Sequence, residues 1–207
     1  MDYKELIDDL RYYGKIAGIK NLTPGITGNL SCRYGDNVII TKSSTANGDL
    51  SEDDFTVIDY SGNVVSGGGK PSSEKFLHLE FYKMRQDINC IFHVHPIYLC
   101  TLASCGQDLT EPVMPENIFY FGEIPLAEYA VPGSFELVNK TAKFFENHDV
   151  VMMANHGIIV GGNNVKETYM KLELAESYAQ VAFNCKLLGG AKLLTNRQVE
   201  EIISLKN

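Results

Sequence analysis

Near the start of the chain, Tyr3, Leu6, Ile7, Leu10, Tyr13 and Ile16 recur at intervals of three and four, which predicts an amphipathic helix that Gly18 ends. The next stretch, Leu22 to Ser31, is rich in turn formers. Asn37–Thr41 and Phe55–Asp59 read as short strands with a polar loop between them. After the glycine-rich Ser66–Pro71, the spacing of Phe76, Leu79, Phe81 and Tyr82 predicts a helix from Ser72 or Ser73 to about Arg85. A strand follows over Ile88–Val94. Asn147–Val160 splits into two apolar runs at Asn155-His156-Gly157, and Val165–Leu188 carries a long helix that Gly189-Gly190 stops. Thr195 and Gln198 have the capping-box spacing for one more helix. With no repeat, low-complexity tract or linker, the expectation is one domain over residues 1–207, built of α/β layers whose strand order stays open.

Composition narrows the partners more than the fold. At 207 residues the chain can bury a core without a disulfide or a structural metal. A net charge of -8 and the lack of a basic cluster argue against nucleic acid, whose binders gather lysine and arginine on one face. An anionic small substrate stays open, provided that a metal, backbone N–H groups or a helix N-terminus supplies local positive potential. Cys32, Cys90, Cys100, Cys105 and Cys185 are odd in number and form no C-x-x-C pair, which suits reduced thiols. The charged N-terminus lacks an apolar signal core, and no run approaches the roughly 20 apolar residues of a membrane helix. The expected location is cytoplasmic, with no membrane partner.

His93 and His95 flank Val94, and on a strand the period of two turns both imidazoles to one face and Phe92 and Val94 to the other. On a helix the same pair would point to nearly opposite sides. His156 sits before Gly157 at a sharp turn and supplies a third imidazole, and three protein ligands with an open position are the pattern of catalytic zinc. A closed site using Cys90 is the rival, but Cys90 and His93 are three apart and would face opposite ways on a strand, so Cys90 reads as core. His78 reads as a buried, hydrogen-bonded histidine and His148 as a surface loop residue. Glu74 follows Pro71-Ser72-Ser73 at a helix start. Capping chemistry would account for all four residues, but the same serines and first-turn N–H groups make a phosphate cradle with a carboxylate beside it.

Together GITGNLSCRY from Gly25, VIITKSS from Val38, LSEDDFTVID from Leu50, GGKPSSEKFLH from Gly68, FHVHP from Phe92, IPLAEYAVPGS from Ile124 and ANHGIIVGG from Ala154 resemble the class II aldolase/adducin-head superfamily, in particular its L-fuculose-1-phosphate aldolase branch. The resemblance implies a three-layer α/β fold with a central, largely antiparallel sheet flanked by helices. It implies a homotetramer with active sites at subunit interfaces. It implies zinc on His93, His95 and His156, with Glu74 as catalytic acid/base and as a further ligand in the resting enzyme. Gly28, Asn29, Ser43, Ser44, Ser72 and Ser73 then take phosphate-site positions. The implied reaction is reversible aldol cleavage of a ketose 1-phosphate to dihydroxyacetone phosphate and an aldehyde. The same site also serves methylthioribulose-1-phosphate dehydration, ribulose-5-phosphate epimerisation or decarboxylation of a sugar-acid phosphate, and an adducin-like module shares the fold without the chemistry. Two departures bear on substrate: Ser43-Ser44 replaces a Thr-Gly pair, and the family's tyrosine near Met114-Pro115 is not evident, which leaves Tyr120 as a substitute.

Overall fold

The computed structural model describes residues 2–206. Its elements are α1 (Tyr3–Ile19), β1 (Asn29–Tyr34), β2 (Asn37–Thr41), β3 (Phe55–Ile58), β4 (Val64–Ser66), α2 (Lys75–Met84), β5 (Cys90–Val94), α3 (Ile97–Ser104), α4 (Pro115–Tyr120), β6 (Leu126–Ala127), α5 (Phe135–Ala142), β7 (Val150–Met153), β8 (Ile158–Gly162), α6 (Val165–Leu187) and α7 (Asn196–Ile203). The eight strands make one sheet in the order β4-β3-β2-β1-β5-β8-β7-β6, antiparallel except for the β6–β7 pair.

Strands such as β2, β5, β7 and β8 are apolar at both parities because helices cover both faces. On one face Ile39, Cys90, Phe92, Val94, Met152 and Val160 pack with residues of α1, α3 and α6. On the other, Val38, Ile40, Ile91, Val151 and Ile159 pack with Leu77 and Phe81 of α2 and Leu137 of α5. The result is the expected three-layer α/β arrangement with a largely antiparallel sheet. Cys90 is core, as its parity demands.

Several boundaries differ from the pattern in the sequence, among them β5, which starts at Cys90 rather than Ile88, and three have a clear cause. Gly18 does not end α1, which runs on to Ile19. A Cβ on Gly18 would come within 2.6 Å of the Gly48 Cα, so glycine serves close helix–turn packing there. Asn29-Leu30-Ser31 are strand rather than turn, because pairing with β5 draws them into the ladder. The helix expected from Ser72 or Ser73 begins at Lys75. The Ser72 N–H donates to the Thr41 carbonyl and Pro71 bridges Lys42, which keeps that segment extended beside the sheet. The short elements α3, α4, α5, β4 and β6 carry no spacing signal long enough to mark them; their ends are set by contacts.

Candidate metal centre and active site

β5 and β8 pair antiparallel with Val94 opposite Ile158, so the turn that joins β7 to β8 abuts the end of β5. His93 is the last inward residue on one face of β5, and His95 follows just beyond the strand before Pro96 opens α3. His156 lies in the β7–β8 turn, where Asn155 takes a left-handed φ of 54° and the Met153 N–H donates to the Gly157 carbonyl at 2.8 Å. The three imidazoles converge, with ring centroids 4.8 Å (His93–His95), 4.8 Å (His93–His156) and 5.2 Å (His95–His156) apart. One nitrogen from each lies within 4.8 Å of the others. Gly157 is needed for this approach, since a Cβ there would come within 2.5 Å of His95 Cδ2 and 2.7 Å of the Val94 carbonyl.

Glu74 caps the N-terminal position of α2 without using its side chain as a cap. Just ahead of the helix, Ser72 Oγ accepts from the Glu74 N–H at 3.2 Å and closes a local turn. The Glu74 carboxylate turns inward and is buried. Its Oε2 lies 2.6 Å from His93 Nε2, its Oε1 lies 3.5 Å from His156 Nε2, and Asn29 Nδ2 donates to Oε2 at 3.5 Å. Burial by itself would raise the Glu74 pKa, but the His93 charge, backed by His156 and Asn29, holds it well below the usual carboxylate range. Burial disfavours the His93 imidazolium, yet Glu74 and the Ile158 carbonyl hold its pKa above the ordinary histidine value. Burial, with the His93 charge, pushes His95 down to about 3 and His156 down to about 4.

The donor set fits a divalent cation. His93 Nδ1–H donates to the Ile158 carbonyl at 2.8 Å, which fixes the ring and aims Nε2 inward. That Nε2 is at hydrogen-bond distance from Glu74 but off hydrogen-bond geometry. Together with Glu74 Oε1, His95 Nδ1 and His156 Nδ1 it has no hydrogen-bond partner among the described residues. Buried polar atoms without partners are costly, and a cation meeting the imidazole nitrogens would repay the cost for the atoms it reaches.

The serine-rich segments also meet. The Ser43 N–H donates to the Lys70 carbonyl and Ser43 Oγ to the Pro71 carbonyl, joining the Ser43-Ser44 turn to Pro71-Ser72-Ser73. Ser44 takes the left-handed region, with φ 65°. Gly28, at φ 80°, crosses the end of β5 so closely that a Cβ would sit 2.4 Å from the His93 carbonyl. Asn29 is buried with its side chain engaged by Glu74 and His78. His78 is fully buried and hydrogen-bonded at both ring nitrogens, while His148 is half-buried in a loop. Tyr120 lies at the surface at the end of α4, its ring edge-on to Phe119. The Asn29–Glu74 contact has only a faint mark in the sequence. Its signal was the spacing of polar residues at 29 and 31 on a strand and at 74, 78 and 82 along a helix.

Comparison with known proteins agrees with this picture. Residues 8–183 match the family model described as Class II Aldolase and Adducin N-terminal domain. The chain is 36% identical over 157 residues to an L-fuculose phosphate aldolase of Methanocaldococcus jannaschii, covering 76% of this chain and 84% of the relative. It is 32% identical over 207 residues to a 3-oxo-tetronate 4-phosphate decarboxylase of Haemophilus influenzae, covering 96% of this chain and 95% of the relative. Among solved structures, an L-fuculose 1-phosphate aldolase superposes with a TM-score of 0.91 at 32% identity, covering 99% of this chain and 97% of that one.

Proposed function

The chain belongs to the class II aldolase and adducin N-terminal domain family and is a lyase of the class II aldolase type, and on that premise we propose that it cleaves a ketose 1-phosphate, of the L-fuculose 1-phosphate kind, reversibly to dihydroxyacetone phosphate and an aldehyde. The observation that carries the reading is the Glu74 carboxylate, buried against His93 and His156 at the edge of three converging imidazoles. His93, His95 and His156 would hold the ion, zinc in our reading, with Glu74 near enough to join them in the resting state. When bound, the ion supplies Lewis-acid stabilisation of the negative charge that develops on the substrate's ketone side.

Glu74 acts at carbon. On cleavage the hydroxyl that becomes the aldehyde gives its proton to Glu74, the carbon–carbon bond breaks with its electron pair passing toward the ketone, and Glu74 hands the proton to the carbon left behind; in synthesis each transfer runs in reverse. Its burial beside the imidazoles keeps the carboxylate within reach of substrate and away from bulk water. We assign the substrate phosphate to Gly28, Asn29, Ser43, Ser44, Ser72 and Ser73, a reading supported by the pairing of the two serine segments beside Glu74. Free thiols at all five cysteines fit a cytoplasmic enzyme, and no helix of the described residues is long and apolar enough to cross a membrane. We read the chain as one domain that assembles as a homotetramer. Exposed Val131, Phe135 and Leu188 supply apolar surface for the assembly to cover.

A second reading, decarboxylation of a phosphorylated 3-oxo acid, is favoured by the likeness to the Haemophilus influenzae protein. Incubating the zinc-loaded protein with L-fuculose 1-phosphate, other ketose phosphates and 3-oxo-tetronate 4-phosphate, with products identified by NMR, separates the two. Release of dihydroxyacetone phosphate supports the aldolase, loss of carbon dioxide supports the second reading, and inertness toward the whole panel refutes both.

A further inference from the structure

Behind Glu74 a row of polar side chains runs into the core. β1 contributes Asn29 and Ser31, two apart on one face of the strand, and α2 with its cap contributes Glu74, His78 and Tyr82, four apart on one face of the helix. Ser31, His78 and Tyr82 are fully buried, and Asn29 and Glu74 nearly so. Tyr82 Oη lies 2.8 Å from Ser31 Oγ, Ser31 Oγ 2.7 Å from His78 Nδ1, His78 Nε2 2.5 Å from Asn29 Oδ1, and Asn29 Nδ2 3.5 Å from Glu74 Oε2.

The donors in this row have one consistent direction. An amide oxygen only accepts, so His78 donates from Nε2, and a neutral imidazole then accepts at Nδ1. Ser31 must therefore donate to His78, and Tyr82 to Ser31. With its oxygen held by His78, Asn29 can present only its NH2 group to Glu74; the flipped amide would set its oxygen against the carboxylate. A strand–helix seam of this kind is stable with apolar residues, and burying polar groups in it is justified energetically only when all are satisfied, so the row calls for a reason beyond packing.

We propose that His78 is a positioning residue for Glu74: its Nε2–H tautomer, fixed by Ser31 and Tyr82, orients the Asn29 amide so that it donates to the carboxylate. The inference rests on the reading of Glu74 as the acid/base and adds a residue to it. Asn29 thereby serves the carboxylate with its side chain, whatever its backbone does for the phosphate. His78 touches no substrate and acts through its neighbour.

The test uses the zinc-loaded full chain, with solvent-deuterium exchange into dihydroxyacetone phosphate as the probe of proton transfer at carbon. His78→Met should keep one metal ion per chain and an unchanged KM, while kcat for exchange falls by about tenfold or more, the usual effect of losing a partner that orients a site group. His78→Gln, whose amide N–H can reach the Asn29 oxygen, should recover most of that loss. Nitrogen-15 NMR should show His78 protonated at Nε2 in the parent chain and a mixture of tautomers in Ser31→Ala, which should also lose exchange rate. Should His78→Met fail to fold, Ser31→Ala carries both measurements. Full exchange in the variant that folds, a kcat that falls only in step with metal content, no recovery with glutamine, or an Nδ1–H tautomer in the parent chain would each overturn the proposal. Glu74→Gln in the same series separates the two claims: if it exchanges normally, the reading of Glu74 fails, whereas its inactivity beside a fully active His78→Met sinks the relay alone.

Discussion

Two backbone positions at the site have side-chain consequences that can be measured directly. A methyl group at Gly157 would meet both His95 Cδ2 and the Val94 carbonyl, and neither the strand end nor the packed His95 ring can yield cheaply. Gly157→Ala should therefore lower metal affinity by about tenfold or more, read by competition with a chromophoric chelator, while far-ultraviolet circular dichroism stays unchanged. Ser44 holds a left-handed φ of 65° without being glycine. Ser44→Gly should raise stability by roughly 0.5–1 kcal/mol in urea unfolding, because the left-handed region costs an L-residue about 1–2 kcal/mol and the extra freedom of the unfolded chain takes about half of that back. If Ser44 also meets the phosphate through its hydroxyl, the same variant should raise KM for the phosphorylated substrate, so stability and KM move together. A variant less stable than the parent would mean that the turn carries no such strain.

At the scale of elements, α3 begins immediately after His95-Pro96 and is held from outside. The Glu176 carboxylate of α6 accepts from the N–H groups of Tyr98 at 2.8 Å and Leu99 at 2.9 Å, a cap borrowed from another helix. Glu176→Ala should cost roughly 2 kcal/mol, the range for hydrogen bonds to a charged acceptor, and loosen the imidazole cluster that α3 follows. Burial pushes the Glu176 carboxyl above its ordinary value, although the backbone N–H groups at the start of α3 pull the other way. A raised carboxyl contributes stability that is complete below its unfolded pKa and is lost as pH rises through the folded one. Glu176→Gln has no such term. The stability difference between parent and Glu176→Gln should thus shift in favour of the glutamine chain as pH rises from about 4 to about 7. Denaturant unfolding at the two pH values measures it, and a difference that does not change, or shifts the other way, refutes the argument. The sequence carries no local mark of α3, because its apolar residues lie all round the helix and its start is capped by a residue far along the chain.

For the molecule as a whole, the two helical layers are tied across the sheet by one carboxylate. Asp149, just before β7, pairs with Arg85 at the end of α2 at 2.8 Å and with Lys171 of α6 at 2.7 Å. Asp149→Ala should lower unfolding stability by roughly 2 kcal/mol, less than for a fully buried pair because the aspartate keeps 25% of its side-chain exposure. Added salt should shrink the deficit, and a loss below about 0.5 kcal/mol would show that packing alone holds the layers together. The local physics of the chain decided a good deal by itself. Thr195 and Gln198 form their capping box, α6 spans Val165–Leu187 and stops short of Gly189-Gly190, and strand parity puts Cys90, Phe92 and Val94 on one face and His93 on the other. Such features depend on neighbours within a turn or a pleat, so they can be read residue by residue. Tertiary structure alone decided that Asn29-Leu30-Ser31 join the sheet, that α2 waits until Lys75, that Glu74 turns inward to His93 and His156, and that the β7–β8 turn meets the end of β5. Those outcomes depend on pairing register between segments tens of residues apart, where the favourable contacts exist only after the chain has closed the loops between them.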